Sequence, residues 1–510
     1  MQVLKPVLCV AGALTIALLL SAPANAQFTR DPEAIEAYEA GIQLLKQEKW
    51  EEAISAFTVA TQKDKTYPEA FQGLGDALRE LEDYPTAIVN YGKATDINPN
   101  LALAFYGRGI CYREQGELQM AGNDFDNASQ LDRTNADIAA DWGAMLVNEF
   151  QDPGRGKRYL DIAIARNPEN AEAYRNRGWA YTRLRDFEEA LKDLNRSIEI
   201  DPNDFETHTR LAALHEFHEE FLSAISSYTN AIATYKPKEN TDPDTYVNGY
   251  LQRASAELRL ANQVGTPEEQ RQDLYQAIIA DADSVLSEFP DRFPESGHAL
   301  HRRGVALRLQ GRLGEAIKAL TDAIQLSPGG GEGGYVAEAY LKRGICWHYQ
   351  EQGSLARGDF EEAAALNFED PLPHLWIGFT YAQEGDYREA IENYGEAIAR
   401  RPGFPLIYVN RGLAYIQMGE YDKGVENFNE AIRHESDDAT KARHFYKRGL
   451  AYMLLEQYQK AFESFDHAML NDNSYQEAFS KAAAALRKMG KSSLAEQYDR
   501  RASELPAPTP

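Results

Sequence analysis

The sequence predicts an all-α protein made of repeated helical hairpins, and two observations support this prediction. In residues 371–404, apolar and small residues recur at three- and four-residue steps on both sides of the triplet Glu384-Gly385-Asp386. This spacing is typical of two amphipathic helices joined by a turn, and Pro402 ends the second helix. The same pattern returns along almost the whole chain, so one hairpin predicts the architecture of the rest.

Small residues at two positions define the repeat, counted with Pro371 as position 1. Glycine or alanine occupies position 8 thirteen times, and seven of the twelve intervals between these residues are 34 residues long. A second small residue stands at position 20, and in eleven of thirteen repeats it follows 12 residues later. We expect the two helices of each hairpin to cross there, where a larger side chain would force them apart. The position-8 residues are Gly41, Gly75, Gly109, Gly143, Gly178, Ala212, Ala254, Gly304, Gly344, Gly378, Gly412, Gly449 and Ala483.

Aromatic residues at positions 17 and 24, such as Tyr387 and Tyr394, are expected to fill the space between neighbouring repeats. With its 34-residue period, the pattern closely resembles a tetratricopeptide repeat over residues 34–505. The resemblance implies a right-handed superhelical solenoid of about 13 helix-turn-helix repeats. One hairpin cannot bury its apolar face alone, so stability is expected to come from stacking.

In chain order, residues 1–26 are expected to form a signal peptide. Lys5 supplies a positive charge, residues 7–20 an apolar run, and Ala24-Asn25-Ala26 a small-residue cleavage site. The run is too short to cross a bilayer, which needs about 20 residues. We therefore expect an exported, soluble protein, periplasmic or secreted, without a membrane span.

The repeats are predicted to fall into two series around an irregular middle. Residues 34–238 contain repeats 1–6, residues 239–296 an irregular, extended repeat 7, and residues 297–505 repeats 8–13 with a polar C-terminal cap. In repeat 7 we expect the inter-helix loop around residues 262–270 to be 11 residues longer than elsewhere. Hinging at this point is a hypothesis. Residues 506–510 are expected to be a disordered tail.

Composition argues against several functions. The formal net charge is −26, and it becomes −27 if the leader with Lys5 is removed, so binding to nucleic acid is not expected. The histidines of the His215-Glu-Phe-His218 segment lack the zinc-binding spacing, and Gly73-Leu74-Gly75 lies inside a predicted helix without a preceding strand. Cys111 and Cys346 are expected to be separate buried thiols. We predict no catalytic residue, cofactor or metal, and therefore no enzyme.

The resemblance implies that positions 2, 5, 9 and 12 of each first helix line a concave groove. In repeats 10 to 12 these positions are mostly apolar, which leaves two interpretations open. Positions 5 and 9 are partly buried between successive first helices, or the groove receives an extended segment or an amphipathic helix. The apolar residues are Leu372, Leu375, Phe379, Leu406, Val409, Leu413, Ile416, Tyr446, Leu450 and Met453.

Polar residues stand beside this groove. Asn410, Arg443 and Lys447 occupy positions 6, 2 and 6 of repeats 11 and 12, where the family's chaperone-tail binders carry part of a clamp for a C-terminal carboxylate. Leu375 and Phe379 depart from the other half of that clamp, where lysine and asparagine would be expected. The resemblance therefore implies half a clamp.

These patterns favour a non-enzymatic scaffold for protein–protein interaction that acts in the periplasm or outside the cell. Its partners would be one or more proteins or peptide segments. The alternative is a factor in polysaccharide export or assembly that binds glycan or a secretion channel. That alternative predicts solvent-facing aromatic residues in the groove, for which Trp179 and Tyr106 are the candidates.

Overall fold

The computed structural model describes residues 30–235, 243–289, 294–327 and 334–505. Within these ranges the regular secondary structure consists of 26 α-helices, which confirms the predicted all-α class and the helical hairpins. The chain divides into two compact units, Met1–Gly249 and Tyr250–Pro510. The predicted signal peptide and C-terminal tail lie outside the described residues, as do most of the predicted connections at 237–244, 289–294 and 329–334.

The first unit contains six hairpins whose helices are 13 to 15 residues long. Its helices are α1 (Pro32–Lys46), α2 (Trp50–Lys63), α3 (Pro68–Glu80), α4 (Tyr84–Ile97), α5 (Ala102–Glu114), α6 (Leu118–Leu131), α7 (Ala136–Asn148), α8 (Pro153–Arg166), α9 (Ala171–Leu184), α10 (Phe187–Ile200), α11 (Phe205–Phe217) and α12 (Phe221–Thr234). Each odd-numbered helix is the first helix of a repeat, and the helix after it is the second.

Helix α13 begins in the first unit and ends in the second, which holds the remaining helices. These helices are α13 (Pro243–Asn262), α14 (Glu268–Glu288), α15 (Glu295–Leu309), α16 (Leu313–Gln325), α17 (Val336–Tyr349), α18 (Gly353–Leu366), α19 (Leu372–Glu384), α20 (Tyr387–Arg400), α21 (Pro405–Gln417), α22 (Tyr421–His434), α23 (Asp438–Leu454), α24 (Tyr458–Asn471), α25 (Gln476–Lys488) and α26 (Ser492–Glu504). None of the helices in the described ranges is both long and apolar enough to cross a membrane.

The residue at position 24 explains why position 8 is small. Tyr394 is 1% exposed, and a Cβ atom added to Gly378 would lie 2.6 Å from its ring. Phe57 meets Gly41 in the same way, also at 2.6 Å. The ring of Phe57 also lies 2.6 Å from the place of a Cβ atom on Gly73 in the next repeat, so the predicted packing of aromatic residues between neighbouring repeats is confirmed at position 24. Such close packing leaves no room for an additional methyl group.

An arginine at position 7 adds a polar connection that the sequence analysis did not identify. Arg177 donates two hydrogen bonds, of 2.7 and 2.8 Å, to the carboxylate of Asp193 on the second helix of its own repeat. Its remaining amino group donates to Asp161 on the preceding repeat, at 2.8 Å. One guanidinium thus connects three helices with fixed geometry. Equivalent pairs are Arg108 with Asp124 and Arg343 with Asp359.

Repeat 7 differs from its prediction. Only residues 263–267 separate α13 from α14, which are 20 and 21 residues long, so the predicted long loop is wrong. The additional residues extend the two helices. Most residues of this part of the sequence, for example those of the Glu268–Glu288 segment, favour helix formation. Gly265, with φ of +92°, and Pro267 confine the turn to a few residues.

Repeat 7 also buries a carboxylic acid. Glu257 is 4% exposed, and its Oε2 atom has no hydrogen-bond partner among the described residues. Burial and the nearby charge of Asp281 raise the pKa of Glu257 to about 8, although Arg253 opposes this shift. Glu257 is therefore largely protonated at neutral pH, because ionisation in this position would leave a charge poorly solvated.

We expect the stability of the second unit to depend on this proton. An unfolded glutamate ionises near pH ~4.3, whereas folded Glu257 keeps its proton to about pH 8, so stability falls as pH rises between these values. The slope is at most about 1.4 kcal/mol per pH unit. Glu257→Gln should raise the melting temperature more at pH 8 than at pH 5, measured by circular dichroism. An equal change at both pH values would contradict the assignment.

Candidate functional site

The candidate groove is built on the first helices of repeats 10, 11 and 12, which are α19, α21 and α23. Val409 of α21 and Ala451 of α23 belong to one buried cluster, which also includes Phe428 of α22. Because these helices occupy equivalent places in successive repeats, residues at equivalent positions face the same side. The structure thus provides the surface on which the predicted groove residues can be located.

Two of the ten apolar groove residues lie in the core. Leu375 is 2% exposed and Val409 is 5% exposed, and both occupy position 5. Leu375 packs in a cluster with Ala390 and Tyr394, so it contributes to stacking of its own repeat. A ligand on the surface would not reach these two side chains.

Six further groove residues are partly buried and pack on the cores of their repeats. The ring of Phe379 lies 5.6 Å from that of Trp376, and the ring of Tyr446 lies 5.1 Å from that of Tyr475. Each of the six therefore presents one edge to solvent while the rest contributes to packing. The six residues are Leu372, Phe379, Ile416, Tyr446, Leu450 and Met453.

The exposed part of the groove centres on α21. Leu406 is 43% exposed and Leu413 is 39% exposed, and their spacing of seven residues places both on one face of the helix. Leu454, the last residue of α23, is 50% exposed. Leu454 was not predicted as a groove residue because it occupies position 13, whereas positions 2, 5, 9 and 12 were expected to line the groove. We call Leu406, Leu413 and Leu454 the exposed leucines.

Two cations lie one helical turn apart on α23. Burial and the charge of Arg443 lower the pKa of Lys447. Among the described residues, neither side chain forms an ion pair with a carboxylate. Like charges at this spacing destabilise a helix by about 0.2–0.5 kcal/mol. Asn410 on α21 donates its amide to the carbonyl of Leu406 at 2.9 Å.

The aromatic residues proposed for glycan binding have partners in the first unit. The hydroxyl of Tyr106 donates to Asp141 at 2.8 Å. The guanidinium carbons of Arg183 and Arg210 lie 5.6 and 5.5 Å from the ring centre of Trp179, within the range of cation–π contacts. Both side chains are partly buried. No observation here favours the glycan alternative.

Other chemistry-bearing residues have structural roles. Cys111 and Cys346 are buried free thiols, as predicted, and burial raises their pKa values to about 12 and about 11. His301 is 3% exposed, and burial lowers its pKa to about 4, so it is neutral at pH 7. In the part of the chain that the structure describes, no group of three or more His, Cys, Asp or Glu residues could hold a metal ion.

Stacked helical hairpins of this length define a helical-repeat protein. Models of tetratricopeptide repeat families match residues 75–116, 171–204, 274–331, 378–419 and 406–437. These segments of the chain are tetratricopeptide repeats.

Two curated relatives show how far the similarity extends. Human Tetratricopeptide repeat protein 13 is 34% identical over 120 residues, which cover 24% of this chain and 13% of that protein. The Hsp70-Hsp90 organizing protein of Triticum aestivum is 26% identical over 263 residues, which cover 48% of this chain and 42% of that protein. The chain thus matches less than half the length of either relative.

Two solved structures are similar to parts of this chain. YrrB, described as a TPR protein with an unusual peptide-binding site, has 23% identity and a TM-score of 0.33, covering 35% of this chain and 92% of YrrB. The type IV pilus biogenesis factor PilW has 18% identity and a TM-score of 0.38, covering 46% of this chain and 98% of PilW.

Proposed function

We propose that this protein binds a segment of a partner protein on the face of repeats 10 to 12. The exposed leucines would receive apolar side chains, and Arg443 and Lys447 would bind a carboxylate. The observation that carries the proposal is a pair of cations without a carboxylate partner among the described residues, on the first helix that follows the one with exposed Leu406 and Leu413. Two like charges one helical turn apart lower the stability of a helix, so such a pair is expected where a bound anion offsets the repulsion.

The class of the protein supports a peptide as ligand. A relative of this chain is named an Hsp70-Hsp90 organizing protein, so at least one related protein assembles other proteins. Peptide segments bind such surfaces through apolar anchors, with polar contacts that fix their orientation. Exposed leucines on α21 would supply the apolar anchor, and the cations on α23 would supply the polar contact.

We also propose that the protein acts outside the cytoplasm, in the periplasm or after secretion. The apolar leader of residues 1–26 and its small-residue cleavage site support this location. The N-terminal sequence of the protein recovered from a periplasmic extract tests it. A mature chain that begins at Gln27 would agree, whereas an intact Met1 in that extract would contradict the cleavage.

Peptide binding is expected to depend on both parts of the site. A labelled peptide that ends in apolar residues and a free carboxylate, and the same peptide as an amide, serve as probes in fluorescence anisotropy. The Arg443→Ala and Lys447→Ala double variant should weaken binding of the acid about tenfold and of the amide less than about twofold. The Leu406→Ser and Leu413→Ser double variant should weaken both peptides alike, because it removes the apolar contact.

Lys318→Ala is the matched control, because Lys318 is an exposed cation on a second helix of the same unit. It should change neither affinity. Equal loss of the acid and the amide in the Arg443 and Lys447 variant would exclude carboxylate recognition. Unchanged binding in the Leu406 and Leu413 variant would exclude the groove.

A further inference from the structure

A second pocket lies in the first unit, at the junction of repeats 3 and 4. It has a volume of about 370 Å³, is open to solvent on one side and is lined by α6, the beginning of α7 and α8. Ile138 and Ala139 form its buried part, with Tyr159 and Ile162 beside them. This volume lies at the lower end of the range of ligand pockets, about 300–1,000 Å³. The pocket involves none of the groove residues of repeats 10 to 12.

The residues of repeat 4 explain why this junction differs. Repeats 3, 5 and 9 join their helices through the position-7 arginine and an aspartate, but repeat 4 has Trp142 and Tyr159 in these places, with ring centres 6.3 Å apart. The hydroxyls of Tyr159 and Ser129 are 3.4 Å apart, across the junction to repeat 3. An aromatic contact between Trp142 and Tyr159 thus replaces the ionic contact within repeat 4.

Three arginines and one aspartate, Asp132, line the pocket, which leaves an excess of two positive charges. Arg133 comes from the connection between α6 and α7, whereas Arg155 and Arg158 come from α8. Helix α8 contains four basic residues and one acidic residue, in a chain whose net charge is −26. This part of the surface therefore has the opposite charge to the protein as a whole, which favours an anionic ligand.

Two of these arginines have no counter-ion within the described part of the chain. Arg133 and Arg158 are exposed, and neither forms an ion pair or a hydrogen bond among the described residues. Arg155 is held in place by Asp126, at 3.4 Å, and by the ring of Trp142, whose centre is 5.8 Å from the guanidinium carbon. The rim thus combines one positioned cation with two cations that are available to a ligand.

We infer that this pocket binds an acidic segment of a protein, with a large apolar side chain in the cavity and neighbouring carboxylates on Arg133, Arg155 and Arg158. An exposed ion pair contributes only about 0–1 kcal/mol, so a single small anion would bind weakly. A segment with several carboxylates gains the sum of several such ion pairs. Burial of its apolar side chain in the cavity adds further binding free energy.

The charge of the protein argues against other anionic partners. Nucleic acids and anionic membranes present extended negative surfaces, which a chain with a net charge of −26 repels outside this small basic region. A flexible acidic segment can place its charges at the three arginines alone. A bilayer surface, in contrast, cannot place a single side chain between α6 and α8.

The test uses the full chain and a short labelled peptide in which one phenylalanine is flanked by glutamates. The Arg133→Glu and Arg158→Glu double variant should weaken binding about tenfold in fluorescence anisotropy, because two attractive contacts become repulsive. Arg166→Glu is the matched control, because Arg166 is an exposed, unpaired arginine on the same helix but does not line the pocket. It should change the affinity less than about twofold. Circular dichroism of each variant verifies that it is folded.

Control peptides and surfaces decide between the alternatives. Replacing the phenylalanine by serine, or the glutamates by glutamines, should each weaken binding to the unaltered protein. If Arg166→Glu weakens binding as much as the double variant, general attraction explains the result and the site is rejected. Retention of anionic vesicles through Arg133 and Arg158 would also overturn the proposal. The Leu406→Ser and Leu413→Ser variant should bind this peptide normally, which separates this site from the groove of repeats 10 to 12.

Discussion

Arg177→Met is expected to lower the free energy of unfolding of the first unit by about 3–5 kcal/mol. The side chain of Asp193 is 7% exposed, and without Arg177 its carboxylate would remain buried without a cation. Asp161 would keep Lys157, at 2.9 Å, so the effect is assigned mainly to Asp193. Denaturant unfolding of the full chain, followed by circular dichroism, measures the change. Hydrogen exchange should show the largest loss of protection in α9 and α10.

Two further variants separate charge from packing. Arg166→Met removes an exposed arginine from the same unit and should leave stability within about 0.5 kcal/mol of the original. Combining Arg177→Met with Asp193→Leu should recover most of the loss, because an apolar pair can replace a buried ion pair. If the combined variant is as unstable as Arg177→Met alone, the uncompensated carboxylate is not the cause.

Gly156→Leu is expected to destabilise the first unit by at least about 3 kcal/mol. A Cβ atom at Gly156 would lie 2.8 Å from the carbonyl oxygen of Gly143 and 2.5 Å from a methyl carbon of Val147. A carbonyl oxygen belongs to the backbone, so it cannot move aside as a side chain can, and α7 and α8 would have to separate. Thermal unfolding measured by circular dichroism should show a lower melting temperature.

Alanine variants provide the matched comparison within one helix. A Cβ atom at Gly154 would lie 3.8 Å from its nearest neighbour, so Gly154→Ala should be neutral or stabilise the helix by up to about 1 kcal/mol. Gly156→Ala should destabilise it despite the same gain in helix propensity. Equal effects of the two alanine substitutions would show that α7 and α8 do not cross closely at Gly156.

The sequence was sufficient for the hairpins because their packing depends on residue size at fixed spacing. Gly378 and Tyr394 recur with their relatives at positions 8 and 24, and close contact between such residues follows from the period. The pair formed by Arg177 and Asp193 also recurs, 16 residues apart in three repeats. It was missed because arginine and aspartate are typical surface residues, and their spacing alone does not show that they face each other.

The groove was harder to predict because helical periodicity does not show how deeply each side chain is buried. Leu375 and Leu406 both fall on the expected side of their helices, yet one is 2% exposed and the other 43%. Leu375, at position 5, packs on Ala390 and Tyr394 of its own second helix. Leu406, at position 2, lies instead at the start of α21, and this difference is a property of the packed structure. Likewise, the additional residues of repeat 7 are compatible with either a longer loop or longer helices. We predicted the longer loop.

The position-7 arginine also contributes to the interaction free energy between adjacent repeats. In an array of this type, cooperativity arises from nearest-neighbour interface energies. In repeats 3, 5 and 9 this arginine donates to the preceding repeat, at Thr95, Asp161 and Thr321, while an aspartate of its own repeat holds it in place. Repeats 11 and 12 have Asn427 and Ser464 in place of that aspartate, so a single hydrogen bond positions the arginine there instead of a bidentate ion pair. The coupling that depends on this arginine is therefore weaker at the candidate binding face, and opening of that face can remain local while the other repeats stay folded.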